Sequence, residues 1–234
     1  MNEIIRKRKS IRKFDMTALD KATLDKVKSF IDAAKPLFPG ITCSISFAEK
    51  TKGMFNVKAP HYLIFKSETA DGSNENIGFI GQQADLFLSE SGLGSCWLGL
   101  AKQADGRKSG LPHVISMAFG KPAEPLHRSL AEFRRKPLSA ISEGTDSRIE
   151  AARLAPSGMN RQNWFFAAAE DGQIHCYRKK PDIISGLFFD KLEAIDAGIA
   201  ICHIAAESEN FSFAKMAVVP ERKGLIYVGT AAKS

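Results

Sequence analysis

The chain has 234 residues, 44% of them apolar and 25% charged, which excludes a disordered, collagen-like or disulfide-scaffold protein and suffices for one large domain or two small ones. Its 33 Lys and Arg outnumber 26 Asp and Glu, a formal charge of +7 that favours anionic partners, small phosphorylated molecules as readily as nucleic acid. No run approaches the roughly 20 apolar residues of a spanning helix and Met1 to Lys13 is charged where a secretion signal is apolar, so a cytoplasmic protein with no membrane partner is expected.

Asp20 to Thr23 reads as the capped approach to a helix through Leu24, Val27, Phe30, Ile31 and Ala34, whose spacings make an apolar stripe. Pro36 and Pro39-Gly40 end it. Ile41 to Phe47 and His61 to Phe65 have the composition of strands. Ser73-Asn74 is the expected cap of a second helix through Ile77, Ile80, Ala84, Phe87 and Leu88, which Gly92-Leu93-Gly94 terminates; Val114 to Phe119 is a further strand. The same order then returns. Ile149 to Ala155 is a helix stopped by Pro156-Ser157-Gly158, Trp164 to Ala169 and Gln173 to Tyr177 suggest a hairpin, Leu192 to Ala206 is an apolar helix, and Gly224 to Gly229 contains a closing strand.

Most of these correspondences, Gly78 with Gly198 among them, lie about 120 residues apart, which points to an internal duplication joined within Lys121 to Pro137. The expected fold class is α+β: a duplicated α/β sandwich with central helices and antiparallel-containing sheets. Its halves, 1–130 and 131–234, are expected to pack intimately. The helices Asn74 to Ser91 and Leu192 to Ala206 belong between the copies, with Gly78, Gly81, Gly198 and Ala200 permitting close contact.

Arg8, Ser10 and Arg12, with Lys9 among them, alternate so that two guanidinium forks and a hydroxyl converge on one side. That set suits a phosphate or a flavin ring edge, and a solvated basic terminus is the plainer alternative. Arg134-Arg135-Lys136 before Pro137 reads in the same two ways. From Ala155 to Trp164, proline ends a helix, Ser157 and Gly158 let backbone approach a planar ligand, and Asn160 and Gln162 offer amides to heteroatom edges. Gly92 to Gly99 supplies exposed amides and a narrow backbone around Trp97. Taken singly, either segment is a helix termination with an aromatic plug; together with the basic clusters they describe an aromatic, phosphorylated ligand in an interdomain groove. The cysteines Cys43, Cys96, Cys176 and Cys202 are far apart, and the histidines have no Glu-containing metal motif near them, so no metal is expected. Ser157 lacks an identifiable His-Asp partnership, and Asp85, Glu90 and Asp196 read as helix-boundary, solvent or polar-network residues.

At these residues the chain resembles the FMN-dependent nitroreductases, over nearly its whole length. Arg8-Lys9-Ser10-Ile11-Arg12 is similar to the family's opening Arg-Arg-Ser-x-Arg motif, and Ala155-Pro156-Ser157-x-x-Asn160-x-Gln162-x-Trp164 to its Ala-Pro-Ser-x-x-Asn-x-Gln-Pro-Trp motif. Gly92 to Gly99 and Arg134 to Leu138 also follow family patterns. Family subunits carry the Pro-Ser motif soon after the opening motif, whereas here Lys35 to Gly40 occupies that place and the motif stands in the second repeat. The resemblance therefore implies a fused, nitroreductase-like pseudo-dimer. Carried over, the first half supplies Arg8, Ser10, Arg12, Leu98, Gly99, Leu100 and Arg135, and the second supplies Pro156, Ser157 and Asn160; Lys9, Arg134, Gly158 and Gln162 stand in the same motifs. Ser139 to Ser142 stands where an arginine motif would open the second half, and Ser208 to Ala214 lacks a Gly-Leu-Gly segment, so one complete site per chain is implied.

The resemblance further implies a ping-pong hydride transfer in which NADH or NADPH reduces FMN and leaves, and a nitroaromatic, quinone or related small electron acceptor then enters the same groove. Arg8 and Arg135 would anchor the phosphate, Arg12 and Ser10 would sit nearer the ribityl or pyrimidine side, and a backbone N–H near Gly99 or Leu100 would address flavin N5. No catalytic side chain is then required. The rival reading is a non-catalytic FMN storage or sensor protein. A nucleic-acid partner is not expected, since Trp97 and Trp164 read as interior and no basic recognition helix is present. A monomer and a further homo-oligomer both fit.

Overall fold

A computed structural model of the chain describes residues 2–104, 110–181 and 186–233. The first sheet and its helices comprise α1 (Asn2–Ile5), α2 (Lys21–Ala33), β1 (Cys43–Ala48), β2 (Thr51–Lys52), β3 (His61–Ser67), α3 (Ser73–Glu90), β4 (Gly94–Leu98), β5 (Lys102–Gln103) and β6 (His113–Gly120). There follow β7 (Ser142–Glu143), α4 (Ser147–Arg153), β8 (Trp164–Ala168), β9 (Ile174–Lys179), α5 (Gly186–Ala206), β10 (Phe211–Ala214) and β11 (Leu225–Lys233). A four-stranded antiparallel sheet has the order β1-β3-β6-β4, and a five-stranded sheet the order β10-β11-β9-β8-β7. Among the described residues only the β7–β8 pair is parallel. β2 and β5 form a separate ribbon. The architecture is α+β, with helices and antiparallel sheets as the sequence suggests.

Local chemistry explains most boundaries. Asp20 caps α2 by accepting the Thr23 N–H at 2.7 Å, and the stripe buries Val27 and Ile31. Removing an Asp cap costs roughly 1 kcal/mol, so this contact is a local start signal rather than the source of the helix's stability. The expected cap at Ser73-Asn74 is displaced: Gly72, at φ 85°, is the N-cap of α3, Ser73 is already helical, and no side chain caps the turn. The larger correction concerns Gly92 to Gly99. Gly94 to Leu98 is a largely buried strand at one edge of the four-stranded sheet, with Cys96 opposite Ala118 and Trp97 opposite Met117 on β6. Its short polar and small residues are compatible with a strand because long-range pairing, not propensity, decides it. β10, which the sequence reading passed over, is a four-residue edge strand whose Phe211 and Phe213 turn to one face.

The sheets flank α3 and α5, which cross at the centre of the molecule. A Cβ on Gly78 would overlap the Ile195 carbonyl, and one on Gly198 would overlap the Glu75 carbonyl. The two contacts are mates: adding the 120-residue separation that also divides Arg8 from Arg128 turns Gly78 into Gly198 and Glu75 into Ile195. The same displacement relates Phe38 N–H donating to Asn76 Oδ1 at 3.0 Å to Gly158 N–H donating to Asp196 Oδ2 at 3.0 Å. It also relates Lys7 to His127 and Arg8 to Arg128 in an antiparallel bridge, where Arg128 N–H donates to Lys7 O at 2.9 Å. Such reciprocal contacts are what a two-fold interface produces.

Candidate functional site

A cavity of about 510 Å³ opens between the N-terminal segment, the end of β4, the loop after α4 and one face of α5. Ser10 and Arg12 line it from one side with Leu98, Gly99 and Leu100; Pro156, Ser157 and Gly158 line it from the other. Thus eight of the residues anticipated from sequence meet at one cavity although more than 140 positions separate Ser10 from Ser157. Much of the remaining wall is apolar: Phe55, Val57, Ile115, Phe189, Leu192 and Ile199. A volume of this size lies in the range of small-molecule sites, roughly 300–1,000 Å³.

The loop has local causes. Pro156 lacks the N–H that would continue α4, and beyond it Met159, Asn160 and Gln162 take φ of 49°, 57° and 49°. Ser157 Oγ accepts the Gln162 N–H at 3.0 Å, and Asp196 on α5 accepts the Gly158 N–H at 3.0 Å, so the segment is tied at both ends. Asn163, where the family motif has proline, donates from Nδ2 to the buried Glu193 Oε1 at 2.7 Å; Arg161 Nη2 donates to the same oxygen at 2.7 Å. Across the cavity, β4 pairing ends at Leu98, which leaves the N–H groups of Gly99 and Leu100 beyond the β4–β6 ladder.

The other anticipated residues lie outside this lining. Arg8 is 1% exposed, its Nε 3.0 Å from Asp85 Oδ2 and its Nη2 donating to Ser10 Oγ at 3.4 Å. Asp85 also accepts from Gln82 Nε2 and from Ser95 Oγ. His203 completes this network: its Nδ1 meets the Ala151 carbonyl at 2.9 Å and must donate there, which leaves Nε2 to accept from Gln82. Burial, the backbone contact and the positive Arg8 and Arg135 set its pKa, and burial dominates, pushing it down to about 3. Arg135 lies on the same side. Burial first, then Arg128, Arg8 and Arg153, lower its pKa to about 9, and among the described residues its Nε has no hydrogen-bond partner. Arg128, lowered to about 10 by burial and Arg8, donates to the Arg8 carbonyl and stacks its guanidinium 3.6 Å from the Phe133 ring centroid.

Asn160 and Gln162 join the loop to the arginine segment. Asn160 Oδ1 accepts from Arg135 Nη1 at 2.7 Å and its Nδ2 donates to Arg134 O, while Gln162 Oε1 accepts the Lys136 N–H at 2.8 Å. Their amides are therefore engaged with protein atoms. Arg134 is exposed and Lys9 is half-buried. Among the described residues no three His, Cys, Asp or Glu side chains come together to hold a metal, and no helix is long and apolar enough to cross a membrane.

A protein-family model described as "Putative TM nitroreductase" matches residues 1–208. The chain belongs to that nitroreductase family. It is thereby placed among the nitroreductase-family oxidoreductases. A crystal structure of a nitroreductase described as putative, from Thermotoga maritima, shares the fold, with a TM-score of 0.65 at 20% identity over 98% of this chain and 91% of that one. A nitroreductase family protein from Clostridium difficile aligns at 16% identity and TM-score 0.48, over 60% of this chain and 95% of its own. An FMN-dependent nitroreductase from the same species aligns at 21% and 0.44, over 53% and 89%. No curated protein matches the chain.

In this nitroreductase-family chain, sequence reasoning missed Arg128 and Asp196. The signal for Arg128 was available, since His127-Arg128 follows Lys7-Arg8 by the repeat spacing, ahead of the Ser139 to Ser142 segment that was compared instead. The related loop position also differs. Where Gly158 borders the cavity, its mate Phe38 packs edge-on against Phe213 at 5.7 Å, and Phe211 stacks on both Phe213 and Phe79.

Proposed function

We propose that the chain binds one FMN noncovalently and transfers electrons from NADH or NADPH to a small acceptor of the nitroaromatic or quinone class. The observation that carries this reading is an apolar-walled cavity whose Ser10 accepts from Arg8, a member of a cluster with Arg128 and Arg135, where among the described residues the Nε of Arg135 has no hydrogen-bond partner. Burial first and neighbouring arginines second lower the pKa values of Arg128 and Arg135, and a phosphate dianion placed against them would offset both effects. The residues present fit the cofactor. FMN, when bound, provides the hydride-accepting and hydride-donating ring.

In this reading Arg135, with Arg8 and Arg128 behind it, holds the phosphate, and Ser10 and Arg12 face the ribityl chain or pyrimidine edge. Leu98, Gly99 and Leu100 present backbone to the ring, with the N–H of Gly99 or Leu100, beyond the β4–β6 ladder, as the donor at its reactive edge. Pro156, Ser157 and Gly158 form the opposite wall. Lys9 adds charge near the phosphate, and Arg134, Asn160 and Gln162 act one step back, fixing Arg135 and the loop relative to each other. The exposed Phe55 and Met159 at the cavity favour a planar apolar acceptor and exclude water from its faces. The Lys7–Arg128 contact supports a second half beginning between Gly120 and His127, earlier than residue 131, and Phe38 supports a single site per chain.

Titration with FMN and riboflavin tests the reading. Saturation at one FMN per chain is expected, and Arg135→Ala should weaken FMN about 10- to 150-fold, the worth of a lost charged hydrogen bond, while leaving riboflavin unchanged. Equal affinity of the unaltered protein for FMN and riboflavin would remove the phosphate assignment. FMN bound tightly but not reduced by either nicotinamide would favour storage or sensing.

A further inference from the structure

Asp196 is a buried carboxyl on the cavity wall for which the proposed function has so far no use. Both its oxygens lie near the Gly158 N–H, at 3.1 and 3.0 Å, so it latches the Pro156–Gly158 loop to α5. The molecule itself shows that latching does not need an acid. At the related position Asn76 Oδ1 accepts the N–H groups of Leu37 and Phe38 at 2.8 and 3.0 Å, a fuller latch made by a neutral amide. An ionisable group stands only on the side that has the cavity. A protonated carboxyl there keeps one oxygen for Gly158 and presents an O–H, which an amide does not.

Resting on the FMN reading above, we propose that Asp196 is the acid that protonates the acceptor as it is reduced. A quinone becoming a hydroquinone takes up two electrons and two protons. Hydride delivery accounts for both electrons and one proton; the Oδ–H bond of Asp196 breaks as an O–H bond forms on the acceptor, and the carboxylate regains its proton from water after product leaves. The ionisable groups on the surrounding elements are Glu193 one turn earlier on α5, Arg161 on the loop, Arg12 and Cys96 across the cavity, the Glu150–Arg153 pair on α4 and the Glu75–Arg178 pair on α3 and β9. Burial and Glu193 raise the Asp196 pKa, against the Gly158 N–H and Arg161, to about 7. It is therefore protonated below neutral pH, about half protonated at pH 7 and ionised above it, a value suited to an acid that must also be recharged.

Asp196→Asn is the test, because Asn76 shows that the amide keeps the latch. In stopped-flow half-reactions of the FMN-loaded protein, reduction by nicotinamide should stay within about twofold, since it needs no acid. Reoxidation by a quinone should slow about 100-fold or more. The unaltered protein should lose reoxidation rate tenfold per pH unit above about 7, and the variant should show no such limb. Independently of activity, carbon NMR of aspartate-labelled protein should show one carboxyl titrating near 7 that the variant lacks. A carboxyl titrating below 5, or an unchanged reoxidation rate and pH profile, overturns the proposal alone. Failure to bind FMN overturns the functional reading together with it.

Discussion

Arg8→Ala should destabilise the protein by about 3–5 kcal/mol, the consequence of leaving a buried carboxylate without its cation. Arg8 and Asp85 each expose 1% of their side chains, and Asp85 would keep only Gln82 and Ser95 as partners. For a chain of this length that loss lowers the melting temperature by roughly 6–20 °C. The family resemblance places Arg8 at the cofactor phosphate, from which a binding defect with intact folding would follow; its burial adds a structural role that dominates the mutant. Thermal and urea unfolding of the apoprotein decide this. A variant within 1 kcal/mol of the parent would mean that the Arg8–Asp85 pair is not an obligatory part of the core. Asp85→Asn should recover part of the loss in an Arg8→Ala background, since it removes the orphaned charge.

Gly198→Ala should cost about 3 kcal/mol or more, at or above the upper end of overpacking, because the added methyl meets backbone rather than a side chain that can swing aside. The helices must part to admit it. Gly78→Ala meets the related Ile195 carbonyl and should behave alike. Since one separation of α3 from α5 relieves both overlaps, the double variant should lose clearly less than the sum of the singles. Additive losses in a double-mutant cycle would show two independent contacts instead of one shared crossing. Gly40→Ala, where nothing lies within 4 Å of the added carbon, serves as a control and should change stability by less than 1 kcal/mol.

Elements decided by nearby residues were legible in the sequence. The Asp20 cap, the α3 stop at Gly92, the Pro156 stop and the β8–β9 hairpin all rest on chemistry within a few positions. So did the spacing that places Gly78 against α5 and Gly198 against α3. β4 was not legible, because Gly94, Ser95 and Cys96 carry no strand preference and acquire strand geometry from β6. β7 is only two residues long and exists through its pairing with β8. For the cavity, motifs identified Ser10, Arg12, the end of β4 and the Pro156–Gly158 loop. They did not separate residues that line it from Asn160 and Gln162, which hold its frame, because both kinds occupy one contiguous motif. Asp196 was hidden for a different reason: on an apolar helix that also carries Asp190 and Glu193 no local pattern sets it apart, and only the comparison with Asn76 reveals what it adds.

The cavity's two walls, Ser10 to Leu100 and Pro156 to Asp196, belong to one continuous polypeptide. A site built between separate subunits disappears when dilution drives them apart, and its affinity then depends on protein concentration. Here the covalent connection holds the second wall at a fixed effective concentration. Ligand affinity should therefore be the same at nanomolar and at micromolar protein, and the cavity can be altered on one wall without a symmetry-related copy changing with it.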